Sequence, residues 1–180
     1  MSAYPTPPTE NVARGAVFSL IVIPVGIVAW VTIWNLGYIA AIVALGIAFG
    51  AFWLYKLGAG TIGIPGAIVI ALVTLVTVVL AFFSGVVWDY AVMTAEEVGG
   101  TVTEYVFDPS FIRLVLEDLF TYGGFEFYQT DFLIALGLGA LGAGGLVVRA
   151  FREARQPADP VVWPTQDSEP IAPPEPEAKA

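Results

Sequence analysis

The sequence predicts an all-α integral membrane protein: four transmembrane helices, both termini cytoplasmic, and a short amphipathic helix in the outer loop. Three observations predict it. Four stretches, Gly15–Trp34, Tyr38–Tyr55, Ile64–Trp88 and Phe132–Val148, carry no charged side chain. Each is long enough, or nearly so, to cross a hydrocarbon core of ~30 Å at ~1.5 Å per helical residue. Hydrophobic residues make up 57% of the chain and charged residues 13%, against roughly 25% charged in a soluble domain. The basic residues then set the threading. Arg14 precedes the first span, Lys56 lies between the second and third, and Arg149, Arg152 and Arg155 follow the fourth. The long loop between spans three and four holds only Arg113. The excess of Lys and Arg on one side places both termini in the cytoplasm, as a multi-pass protein of the cell membrane.

The chain divides into an N-terminal tail (1–13), a four-helix domain (14–155) and a Pro-rich acidic C-terminal tail (156–180). The spans fall at about 15–34, 38–55, 64–88 and 131–150, and the acidic outer loop at 89–130.

Span one reads as a retained helix rather than a cleaved signal. Its apolar run is longer than a signal core of ~7–15 residues, and it ends in Trp30-Val31-Thr32-Ile33-Trp34 with no small-x-small site. Those tryptophans fit an outer aromatic belt, Trp53 and Tyr55 an inner one, and Trp88 and Tyr90 the outer one again. Pro24, inside the span, removes one helix hydrogen bond and predicts a kink.

Helices in a bilayer associate through close packing of small residues. Span two offers Gly46-x-x-x-Gly50, and span four offers Ala135-x-x-x-Gly139 and Ala140-x-x-x-Gly144. A spacing of four puts each pair on one face. These six residues are the candidate packing positions. Their plain role is packing within the chain; a homodimer seam through Gly46 and Gly50 is the functional alternative.

The connector Gly58-Ala59-Gly60-Thr61-Ile62-Gly63 matches G-x-G-x-x-G literally. The dinucleotide motif needs a preceding strand, a following helix in a βαβ unit and an acid about 20 residues on. Here the flanks are two membrane helices and no acid lies near Phe83, so the glycines read as a hairpin with Pro65 opening span three.

Span three is the strongest, with fifteen Leu, Ile, Val or Phe between Ile64 and Val87. At roughly 0.3–0.6 kcal/mol each, they favour insertion by about 5–9 kcal/mol. Span four has nine such residues and five Gly, so it depends on its neighbours. Thr74, Thr77 and Ser84 can bond to their own helix carbonyls or to a neighbour.

In the outer loop, Asp108-Pro109-Ser110 opens a helix that runs to about Tyr122 and stops at Gly123-Gly124. Arg113, Glu117 and Thr121 share one face, and Ile112, Val115, Leu116 and Leu119 another. Such a helix most simply lies on the bilayer surface or caps the bundle; a docking face for a partner helix is the alternative. The loop's carboxylates show no calcium-loop spacing and read as a solvated surface. Asp89 and Asp131 bracket the loop at the membrane edge and are the candidate outer-mouth carboxylates.

The tail's Val161-Val162-Trp163-Pro164 is a small apolar island in a Pro-rich stretch expected to be extended. The chain has no Cys and no His, which removes thiol chemistry, imidazole catalysis and histidine-ligated haem. A net charge of −9 argues against a nucleic-acid partner. No cofactor and no metal are implied. Ion and proton pathways are marked by ionisable residues inside the membrane, and the four apolar stretches carry no charged side chain. The expected function is therefore a non-catalytic accessory, scaffold or partner-binding component of a membrane assembly. Its partners would be the lipid bilayer and a protein partner or further copies of itself. The alternative is an oligomeric transporter or channel subunit for a neutral or small solute.

Overall fold

The computed structural model describes residues 10–36 and 40–155. Most of the two tails, the Val161–Pro164 island and Tyr38 at the start of span two lie outside the described residues. Among the described residues there are helices and turns but no strand. The helices are α1 (Val12–Ser19), α2 (Val22–Asn35), α3 (Val43–Ala59), α4 (Ile64–Val98), α5 (Val102–Val106), α6 (Pro109–Thr121) and α7 (Phe125–Arg155), with a 3₁₀ turn at Ala40–Ile42.

Among the described residues, three helical segments are long and apolar enough to cross a membrane: Val12–Asn35, which includes α1 and α2, Ile64–Val98 and Phe125–Arg149. The apolar helix α3 is shorter, at 17 residues. The outward surface is itself apolar. Val28 is 66% exposed, Phe49 68% and Leu141 72%. Large side chains presented along helices in this way mark a membrane protein.

The break between α1 and α2 follows from Pro24. A proline has no N–H for the carbonyl four residues back, and its ring clashes with that carbonyl. Leu20 is that residue, and the helix gives way at Leu20 and Ile21. The backbone tightens there: Ile21 N–H donates to Phe18 O at 3.2 Å and Ile23 N–H to Leu20 O at 3.1 Å.

The bundle packs α1 on α3, α2 on α4, and α3 and α4 on α7. The tightest backbone approach is α1 against α3. A Cβ on Gly58 would lie 2.7 Å from the Arg14 carbonyl oxygen and 3.0 Å from Gly15 Cα, so only glycine fits. The core between α2, α4 and α7 is aromatic. Trp30 and Phe82 are fully buried, and the Phe82 ring lies 4.8 Å from Phe132 and 6.4 Å, edge-on, from Trp30. Thr77 and Ser84 hydroxyls return to their own helix, at Val73 O and Leu80 O.

Helix α4 does not stop at Trp88. Nothing breaks it before Gly99 and Gly100, both of which have positive φ. Asp89–Val98 therefore stands beyond the apolar stretch as a stalk about 15 Å long. Thr101 and Glu104 form a reciprocal capping box that opens α5. Asp108 caps α6 through Ser110 N–H at 2.9 Å. Val115 and Leu119 of α6 are buried against the bundle, so α6 caps it.

Candidate functional site

Two features stand out once the helices are placed: a polar, aromatic cap at one end and an apolar groove along α4 and α7.

The cap is tied down by hydrogen bonds where the stalk leaves the bundle. The Tyr90 hydroxyl on α4 donates to Asp118 Oδ2 on α6 at 2.6 Å. Burial, then the hydrogen bond and the charge of Asp118, push Tyr90 up to about 12. One residue earlier, just past the apolar stretch, half-buried Asp89 faces Trp34 of α2, whose indole favours its charged form. It also makes a long 3.5 Å contact with the Tyr128 hydroxyl of α7. Burial raises the Asp89 carboxyl above the usual carboxylate range, and Trp34 and Tyr128 oppose that rise. Rings continue the connection: Phe83 of α4 lies 5.9 Å from Phe120 of α6 and 6.1 Å from Phe132 of α7.

Outside this anchored layer the cap presents large apolar side chains. Phe107 is 81% exposed, Leu114 61% and Tyr122 75%. Leu114 and Phe120 lie on opposite flanks of the buried face of α6, by its helical repeat. Phe120 is the flank turned toward the span residue Phe83, so Leu114 is turned away from it. Exposed Glu96, Glu97, Glu104, Asp108 and Glu117 surround these residues in the chain.

The candidate residues are distributed as follows. Asp89 contacts Tyr128, whereas Asp131, three residues beyond Tyr128 on α7, is exposed. Among the described residues, no group of three or more acidic side chains is placed to hold a metal ion. Gly46 is exposed and a Cβ there would meet nothing within 4 Å. Gly50 approaches Val22, at 3.1 Å from a Cβ. Ala135 is fully buried, and a Cβ on Gly139 would lie 3.3 Å from Val78 Cγ2 and 3.9 Å from Ala44 Cβ. Ala140 and Gly144 line the groove.

The groove runs between α4 and α7 with a volume of about 500 Å³. Ala71, Thr74 and Val78 form one wall and Gly139, Ala140 and Gly144 the other. Its one hydroxyl, Thr74 Oγ1, is buried with no hydrogen-bond partner.

Residue spacing within single spans did not reveal the contacts of Gly15, Gly26, Gly58 and Gly142. A Cβ on Gly26 would lie 2.8 Å from Thr77 Cγ2, and one on Gly142 2.7 Å from Ala48 Cβ. The signal for the first contact was Gly15-x-x-x-Ser19, both buried on α1. Glu10, read as tail, is held: its Oε1 accepts from Gly63 N–H and the Tyr55 hydroxyl, each at 3.0 Å. It thereby satisfies a backbone donor at the start of α4.

Comparison of the chain with protein-family models, with curated proteins and with solved structures finds no match.

Proposed function

We propose that the chain is a non-catalytic component of a membrane assembly, docking a partner protein on its cap. It would cross the bilayer four times with both termini cytoplasmic, α3 and the 3₁₀ turn before it forming the second span. The observation that carries the reading is the cap itself: Phe107, Leu114 and Tyr122 are exposed on a layer fixed by Tyr90–Asp118 and Asp89.

A fixed aromatic surface with a charged rim is what a protein interface requires. Aromatic side chains bury large area with few rotors to immobilise, and a polar rim excludes water around them. The exposed carboxylates that neighbour these residues along the chain suit a basic partner, because complementary charge steers encounter and selects among partners. Charge is absent from the apolar stretches, which weighs against ion-coupled transport. The bundle centre is filled by Trp30, Ile70 and Phe82, so a solute path would have to run between copies. Photo-crosslinking from Phe107 and Tyr122 in intact cells tests the docking surface.

A further inference from the structure

We infer that the groove between α4 and α7 seats one acyl chain of an anionic phospholipid, with the headgroup phosphate at Arg152.

The dimensions select the tail. The α7 wall runs from Leu136 to Val148, twelve steps of ~1.5 Å, or about 18 Å. A volume of about 500 Å³ over the ~18 Å of this wall, or over the ~10 Å of the α4 wall from Ala71 to Val78, gives a section of roughly 28–48 Å², on the order of 6–8 Å across. A helix body is ~10–12 Å thick, wider than the groove. The length is close to the ~15 Å of a single leaflet, half of a ~30 Å hydrocarbon core. The walls are apolar apart from Thr74, whose hydroxyl is buried, so an alkyl chain gains contact without displacing bound polar groups.

The charge selects the head. Lining residues Ala140, Gly144 and Val148 recur every four positions on α7, and Arg152 is the next step in that row. Arg152 is exposed and lies about 6 Å beyond the end of the groove. A guanidinium just outside an acyl slot pairs with a phosphate, and basic positions at the ends of membrane helices recognise anionic headgroups. Gly144 meets nothing within 4 Å of a Cβ position, so the slot is open where the tail would leave the headgroup.

The inference rests on α4 and α7 lying in a bilayer, which is checked separately by whether the chain leaves membranes only in detergent. The test uses the full chain, delipidated in mild detergent and titrated with phosphatidylglycerol or phosphatidylcholine under native mass spectrometry. The wild type is expected to bind phosphatidylglycerol in preference, as a monomer with one lipid. Arg152→Gln should weaken that binding by about fivefold, and Ala140→Leu, which fills the slot, should abolish it. Phosphatidylglycerol carrying a diazirine in its tail should label peptides from the two walls. Arg152 is exposed, so its variant keeps the test decisive if Ala140→Leu fails to fold. Equal binding of both lipids, binding unchanged by Arg152→Gln, labelling away from α4 and α7, or a dimer closing the groove would each overturn the inference.

Discussion

The Tyr90 hydroxyl donates to Asp118 Oδ2 at 2.6 Å and ties α6 to the stalk of α4. Tyr90→Phe removes the donor and leaves a carboxylate with one partner fewer. A hydrogen bond to a charged group contributes more than a neutral one; with partial exposure the expected loss is about 1–2 kcal/mol. The loss is local. Amide exchange in α6 should accelerate while that of α2 and the apolar part of α4 holds. Uniform acceleration would show that Tyr90 supports the whole bundle instead.

Asp89 gives the cap a pH dependence. Burial raises its folded pKa, so its stabilising form is the protonated one. That contribution is fully present below the ordinary carboxylate pKa and is lost as pH rises through the folded value. Asp89→Asn removes the buried charge and should raise the melting temperature in detergent at neutral pH. The advantage should close as pH falls and the wild-type carboxyl protonates. A variant less stable than wild type at neutral pH would refute this balance.

Glu10 bridges two elements far apart in sequence, Tyr55 on α3 and Gly63 N–H before α4. A carboxylate at a helix start also benefits from the helix dipole. Glu10→Ala should cost about 1 kcal/mol. Combined with Tyr55→Phe, the two losses should add to less than their sum, because both remove the same bond. Strict additivity in a double-mutant cycle contradicts the contact.

The glycines separate by position rather than by motif. Gly58→Ala drives a methyl toward the Arg14 carbonyl oxygen at 2.7 Å. Such overpacking costs ~1–3 kcal/mol. Gly46→Ala meets open space and gains up to about 1 kcal/mol of helix propensity. Melting of the two variants in detergent should therefore move in opposite directions. A large loss from Gly46→Ala would point instead to a seam between copies.

Much of this architecture was legible in the sequence. The charge-free runs place the apolar helices, Pro24 marks the break at Leu20 and Ile21, and Asp108-Pro109 and Gly123 bound α6. The stalk was legible too, since no Gly or Pro interrupts Asp89–Val98, but hydropathy ends the span at Trp88 and hides it. The α1–α3 crossing was not. Gly15 and Gly58 lie on different helices, and spacing within one helix carries no record of which partner faces it. The candidate site divided for the same reason. Asp89 and Asp131 bracket the loop in sequence, yet helical phase turns Tyr128, not Asp131, toward Asp89. Glu10 escaped because a polar tail residue gives no sign of the donor it will meet 53 positions away.

The docking surface is tested most directly by a photo-crosslinking residue placed at Phe107 or Tyr122 in intact cells, with the exposed Leu141 of α7 as the control. The cap positions should give one discrete adduct of this chain with a different protein, weakened by Tyr90→Phe, and Leu141 should not give it. Adducts absent from the cap, or formed equally from Leu141, would contradict a partner-binding cap.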